Sequence, residues 1–317
     1  MKKFAMVFPG QGSQTIGMLA ELAQEFPIVL ETFQQASDVL GYDLWQLTQE
    51  GPAEELNKTW KTQPALLAAS VAIYRVWQQK YPQLKPTMMA GHSLGEYSAL
   101  VCAGVISFQD AIKLVELRGQ FMQQAVPAGT GAMYAIIGLD NESIIKACVQ
   151  AQSEAAEGEI VSAVNFNSPG QVVIAGSKDA VAVAGNLCKE MGAKRALPLA
   201  VSVPSHCALM QPAADKLAEE LVNIEFMAPQ TPVINNVDVA TEENVAQIRL
   251  ALVQQLSNPV RWTETVERMA NAEGIEAIVE MGPGKVLTGL NKRIAKSLTA
   301  ITVNDLKSLE GAKEALN

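Results

Sequence analysis

The pentapeptide Gly91-His92-Ser93-Leu94-Gly95 constrains this chain more than any other stretch. It follows Thr87 to Ala90, which reads as a short buried strand, and precedes an Ala-rich segment of helical character that runs to Ala103. A G-x-S-x-G between strand and helix makes a sharp turn, because glycines on either side remove the Cβ atoms that would crowd it. The turn projects the serine hydroxyl outward. Strand, elbow and helix in that order imply alternating strands and helices, and hence a parallel sheet covered on both faces.

The rest of the chain fits that expectation. Phe4 to Phe8 is an apolar run ending in Pro9-Gly10-Gln11-Gly12-Ser13, the pattern of a buried strand and its turn. Helical spacing continues through Ile16 to Leu40 and Leu66 to Trp77 before Pro82 and Pro86 interrupt it. From Ala132 to Leu199 the rhythm changes to strand (132–139), helix (141–152), two strands (160–165 and 172–176), helix (178–191) and strand (194–199). This is the β-α-β-β-α-β order of a ferredoxin-like unit. The expected architecture is α/β: an α/β-hydrolase-like large domain of residues 1–127 and 200–317, with an inserted ferredoxin-like subdomain of residues 128–199. The large domain closes with a strand at Ala277 to Glu280, the Gly282-Pro283-Gly284 turn and a helix from Lys285 to Lys296.

A serine hydroxyl is a poor nucleophile until a base takes its proton, and histidine is the usual base. Only two histidines are present. His92 adjoins Ser93 in a tight turn that directs its side chain elsewhere, which leaves His206, in the Pro-containing stretch Val203-Pro204-Ser205-His206. No acidic residue between Ser93 and His206 singles itself out as a third member. The orienting partner can be a neutral acceptor, because it need only hold the right tautomer through the other ring nitrogen. A developing oxyanion needs donors: the N–H of Leu94, at the start of the helix, is one candidate. The N–H of Gln11, flanked by Gly10 and Gly12, is the other.

Composition narrows the surroundings of this chemistry. A formal net charge of -9 over 317 residues, with no long Lys/Arg run, argues against nucleic acid as a partner. Cys102, Cys148, Cys188 and Cys207 are scattered without a CxxC pair, so neither a zinc site nor a disulfide framework is expected. The N-terminal apolar run is shorter than the ~7 to 15 residues of a signal-peptide core. No segment approaches the ~20 apolar residues of a membrane span, so a soluble, cytoplasmic protein is expected.

Four motifs now stand in order: Phe8-Pro9-Gly10-Gln11-Gly12-Ser13-Gln14, Gly91-His92-Ser93-Leu94-Gly95-Glu96-Tyr97, Val203-Pro204-Ser205-His206 and Gly282-Pro283-Gly284. In these the chain resembles, from end to end, the malonyl-CoA:acyl carrier protein transacylases of bacterial fatty acid synthesis. The resemblance implies Ser93 as acyl carrier, His206 as base and acid, and the N–H groups of Gln11 and Leu94 as oxyanion hole. It further implies that a carbonyl of Gln255 orients the histidine and that Arg118, on an expected helix from Phe108 to Gln124, holds the malonyl carboxylate. Gln63 and Asn165 match further pocket positions. Malonyl-CoA and acyl carrier protein are the implied partners, with coenzyme A as product and no cofactor or metal. Lys285, Lys292, Arg293 and Lys296 form a candidate docking patch for the carrier.

Two nucleotide motifs fail on inspection. Thr15 occupies the third glycine position after Gly10-Gln11-Gly12, and Leu290-Asn291 replaces the Lys-Ser/Thr of a P-loop after Gly284 to Gly289. The rivals are a thioesterase or esterase, in which water completes the reaction, and a noncatalytic module that binds acyl-CoA or carrier protein. The chain's length leads one to expect a free-standing enzyme.

Overall fold

The computed structural model describes residues 1–201 and 203–317. Within them run the strands β1 (Phe4–Phe8), β2 (Met88–Gly91), β3 (Gly131–Ile137), β4 (Val161–Ser168), β5 (Gln171–Ser177), β6 (Arg195–Pro198), β7 (Val233–Ile234), β8 (Ala277–Met281) and β9 (Thr299–Val303). They form two sheets. The first is five-stranded with order β7-β2-β1-β8-β9, and its neighbours all run parallel. The second is four-stranded and antiparallel with order β4-β5-β3-β6, and helices Asn141–Glu154 and Lys178–Glu190 connect its strands in β-α-β-β-α-β sequence. The α/β class and the two-sheet plan expected from the sequence are both present.

β1 is entirely buried because it is sandwiched. Phe4, Met6 and Phe8 pack with Trp77 and the helices on one face, while Ala5 and Val7 pack with Trp262, Val266 and Leu287 on the other. Alternate residues of a strand face opposite sides, so a strand covered twice must be apolar throughout. In the second sheet, Ile136, Val172 and Ile174 pack against Ile144, Ala147, Ala184 and Cys188 of its two helices. A parallel bridge between Asn165 and Val260 ties β4 to the larger sheet's side of the molecule.

Several elements differ in extent from expectation. The helical run from Ile16 splits into helices Ala20–Glu25 and Pro27–Leu40, because Pro27 cannot continue a helix but can start one. After two short helices, Leu44–Glu50 and Ala53–Leu56, the helix expected from Leu66 spans Thr59–Lys80 and begins seven residues before the apolar spacing, with Pro64 tolerated inside it. The last basic helix is Val286–Ile294, so Lys285 sits at its N-cap and Lys296 lies beyond it. The short β7 and the edge strand β9 have no separate signal in the apolar pattern.

Strand register positions the site. Phe8 pairs with Gly91, so the turns leaving β1 and β2 emerge side by side at the carboxyl ends of the strands, where open α/β sheets place their ligands. The approach is close: a Cβ on Gly95 would lie 2.0 Å from the Phe8 carbonyl oxygen, and one on Gly91 1.8 Å from the Gly95 carbonyl carbon. Gly282 has the same role behind the first turn, since a Cβ there would meet Pro9 Cγ at 2.4 Å. Neither partner of Gly95 is a flexible side chain, so the backbone must move to admit a methyl group. Gly95→Ala is therefore expected to destabilise the protein by about 3 kcal/mol in denaturant unfolding, and a midpoint unchanged from wild type would contradict this packing.

Candidate active site

Among the described residues four that are not glycine have left-handed backbones, and two of them, Ser93 (φ 52) and His206 (φ 65), face each other. Each such residue costs on the order of 1–3 kcal/mol and persists only where surrounding structure imposes it. At Ser93 the imposing residue is Asn236, in the turn after β7. Its Oδ1 accepts from the Ser93 N–H (2.7 Å) while its Nδ2 donates to the Gly91 carbonyl (2.7 Å). The elbow is thus clamped on both sides of its bend. The N–H of Leu94, which follows, donates to no other described residue, and neither does that of Gln11.

His206 sits in the turn before helix Gln211–Val222 and is 3% exposed. Its Nε2 lies 2.7 Å from Ser93 Oγ. On the other side its Nδ1 donates to the main-chain carbonyl of Gln255 at 2.8 Å. That bond fixes the Nδ1–H tautomer, leaving the Nε2 lone pair toward the hydroxyl. Burial, with the Arg118 charge second, pushes the imidazole down to about 3, so it is neutral and able to accept a proton across the ordinary working range. His92 is turned away as expected, with Nε2 at 2.7 Å from Asn167 Oδ1 and its ring 5.7 Å from that of Trp262.

Beneath this pair lies Arg118, on helix Phe108–Gln124, fully buried. It is brought there by a tight helix crossing, for a Cβ on the adjacent Gly119 would lie 2.6 Å from Trp60 Cα. Arg118 Nη2 donates to Gln255 Oε1 (2.9 Å) and reaches Ser93 Oγ (3.3 Å), and Nη1 donates to Gln63 Oε1 (2.6 Å). Its Nε has no partner among the described residues. Among the described residues no carboxylate hydrogen-bonds the guanidinium, so a buried cation is held by neutral acceptors within reach of the serine. Burial lowers its pKa, and the adjacent Tyr97, followed by the Glu96 charge, opposes that shift.

Two further residues were not legible in the sequence as site residues: Asn236 and Glu96. Gln255 Nε2 donates both to the Ser93 carbonyl (3.0 Å) and to Glu96 Oε2 (2.8 Å), which also accepts from the Asn236 N–H (3.0 Å). Glu96 lies within the elbow motif itself, but spacing alone does not say that a residue of the first helical turn points inward. Burial pushes its carboxyl up to about 7 against the pull of these hydrogen bonds.

A cleft of about 540 Å³ opens above the serine, lined by Gln11, Gly12, Asn57, His92, Ser93, Asn165, Leu199, Val201 and His206 among others. Asn165 stands at an irregularity in the β4–β5 pairing, and its Oδ1 is buried without a partner among the described residues. Seven expected residues, Ser93, His206, Gln255, Gln11, Arg118, Gln63 and Asn165, thus meet at or just under one cleft, and Leu94 is the residue after the nucleophile. Lys285, Lys292, Arg293 and Lys296 are exposed, with Arg293 Nη2 donating to Gln171 Oε1 (2.8 Å).

Comparison with known proteins accords with this geometry. The sequence pattern described as an acyl transferase domain matches residues 5–311. The chain is 72% identical over 316 residues to the malonyl CoA-acyl carrier protein transacylase of Haemophilus influenzae, with full coverage of both, and 68% identical to that of Escherichia coli K12, covering 99% of this chain and 100% of the other. The chain belongs to the acyl transferase family. Among solved structures, it superposes with TM-score 0.94 on an acyl carrier protein S-malonyltransferase from Vibrio cholerae (68% identity, 98% of this chain and 99% of that one). It superposes with TM-score 0.95 on a malonyl-transacylase in complex with a type II PKS acyl-carrier protein (69% identity, 99% of both chains). Within this acyl transferase family member no described helix is long and apolar enough to cross a membrane. No group of three or more His, Cys, Asp or Glu among the described residues is arranged to hold a metal ion.

The depressed His206 pKa has a consequence for stability. In the unfolded chain the imidazole takes up a proton as pH falls through about 6.5, whereas the folded site refuses it until about 3, so protonation favours unfolding. This contribution is intact above pH 6.5 and is lost progressively toward pH 3. Thermal melts of wild type are expected to fall more steeply between pH 7 and 4.5 than those of His206→Gln; parallel curves would contradict a buried neutral imidazole.

Proposed function

We propose that this chain transfers the malonyl group from malonyl-CoA to the phosphopantetheine thiol of acyl carrier protein, through a malonyl ester on Ser93, and so supplies fatty acid synthesis. The observation that carries the proposal is a fully buried guanidinium 3.3 Å from a serine hydroxyl that also contacts a neutral imidazole. A guanidinium donates two parallel charge-assisted bonds to a carboxylate. A three-carbon diacid acyl chain on Ser93 carries its free carboxylate only a few bonds from the ester, within reach of Arg118. An acetyl group brings no such partner.

In the first half-reaction His206 Nε2 takes the Ser93 proton as Oγ attacks the thioester carbonyl. The oxyanion is received by the N–H groups of Gln11 and Leu94, neither of which is engaged elsewhere in the described residues. Collapse expels the coenzyme A sulfur, which leaves with the proton returned by His206. In the second half the carrier's thiol gives its proton to His206, attacks malonyl-Ser93, and the proton goes back to Oγ. The Gln255 carbonyl keeps the imidazole in the required tautomer and steadies the imidazolium. Asn165 Oδ1, unpartnered at the cleft wall, is available to a donor on the substrate, and Gln63 holds one arm of Arg118. Atoms and electrons balance with these groups, so the proposed cycle invokes no metal, redox group or other cofactor. The exposed Lys285, Lys292, Arg293 and Lys296 are the proposed docking patch for the carrier, and the cytoplasm is the proposed location.

Brief incubation with malonyl-CoA is expected to add one malonyl group to wild type by intact mass and none to Ser93→Ala; an adduct on Ser93→Ala would overturn the ester. Free malonate forming faster than malonyl-carrier would instead favour the thioesterase reading. Arg118→Ala is expected to lower kcat/KM for malonyl-CoA about a hundredfold, roughly 3 kcal/mol, with a much smaller loss for acetyl-CoA. Equal losses with the two thioesters would refute the carboxylate clamp.

A further inference from the structure

Arg118 can hold a carboxylate only if its neighbours leave the guanidinium correctly aimed, and one of those neighbours is itself held. A guanidinium only donates, so the group beside Nη2 must present an oxygen. Gln255 does so with Oε1, but an amide turned over would present its NH2 there, donor against donor. What fixes the sense of the amide is the pair of acceptors on its far side, the Ser93 main-chain carbonyl at 3.0 Å and Glu96. Gln255 Nε2 donates to Glu96 Oε2 at 2.8 Å, an oxygen that also accepts a main-chain N–H and so is held as an acceptor, which receives the NH2 end of Gln255.

The same oxygen accepts the Asn236 N–H (3.0 Å), from the residue whose side chain clamps the Ser93 elbow. Glu96 is 2% exposed, and its two partners come from elements 140 and 159 residues away. An acid in the first turn of helix Gly95–Cys102 would ordinarily face water and the helix N–H groups. Here it reaches across to two other segments and touches neither His206 nor the cleft. Burial of an ionisable group at this cost is weak evidence for stability, since a well-packed apolar residue of similar volume is often as good or better. A role in orienting its partners accounts for it.

We infer that Glu96 is a positioning residue for acyl selectivity: by accepting from Gln255 and Asn236 it completes, with the Ser93 carbonyl, the pair of acceptors that holds the Gln255 amide in direction, and thereby aims Arg118 at the carboxylate of the acyl group on Ser93. The inference rests on the malonyl transfer proposed above. It concerns the acceptor at this position, not its charge. Glu96→Gln retains one carbonyl oxygen for both bonds, whereas Glu96→Met fills the space and accepts neither.

The test measures single-turnover acylation of the full chain by malonyl-CoA and by acetyl-CoA, together with thermal unfolding. The ratio of the two kcat/KM values is expected to fall about tenfold or more in Glu96→Met, and to return to within about threefold of wild type in Glu96→Gln. A preserved ratio in Glu96→Met, an equal loss with both thioesters, or a Glu96→Gln no better than Glu96→Met would overturn the inference. Should Glu96→Met fail to fold, Gln255→Leu carries the test, because it removes the amide beside Arg118 and keeps the main-chain carbonyl on His206. The same fall in ratio is then expected, and an unchanged ratio overturns the inference. A wild type that forms no malonyl adduct defeats the underlying reading, while a normal wild type with an unaltered ratio in these variants defeats this inference alone.

Discussion

The contact between Ser93 Oγ and His206 Nε2, 2.7 Å long, is the interaction around which the remainder of the structure is arranged. Both residues sit in left-handed backbone that side chains avoid, and neither conformation is sustained locally. Strand register brings β1 and β2 to the same level, Gly91 and Gly95 let strand and helix close up, and Asn236 pins the bend. His206 is brought in from the far end of the second sheet and fastened by two main-chain carbonyls, Leu256 to its N–H and Gln255 to its ring. The strain is therefore sustained by elements remote in sequence, which is how functional sites ordinarily sustain it.

The electrostatics of the site follow from burying one cation without a carboxylate against it. Burial, with the Arg118 charge second, keeps His206 unprotonated, and two glutamine oxygens, from Gln63 and Gln255, accept from the two Nη groups of Arg118 without cancelling its charge. A direct salt bridge to Glu96 would neutralise the guanidinium before substrate arrived. Instead one amide separates the two, and Glu96, raised by burial to about 7, remains one step removed. The same arrangement that makes the imidazole a free base therefore leaves a positive site for an acyl carboxylate.

Much of this was legible in the sequence, and the reason lies in which constraints are local. Ser93 announces itself because an elbow needs glycines at fixed offsets, and His206 because composition leaves no other imidazole. The β-α-β-β-α-β order was readable because each element has its own apolar period. What was not readable is set by distance along the chain. Asn236 acts from 143 residues beyond Ser93 through a side chain with no motif around it, and Glu96 reads as an ordinary first-turn acid until the fold turns it inward. Pro64 hides the start of the helix that carries Gln63, and β7, only two residues long, is too short to have a period. Gln255 and Arg118 entered only by resemblance, since neither residue's surroundings in sequence specify its partner.

The account stands on His206 being a neutral imidazole that carries its proton on Nδ1 and offers Nε2 to Ser93. With only two histidines in the chain, 15N chemical shifts of selectively labelled imidazoles observe this state directly. The predicted result for the unacylated protein is a neutral Nδ1–H tautomer at His206, unchanged from pH 8 down to about 5. An imidazolium in that range, or a proton resident on Nε2, would contradict it.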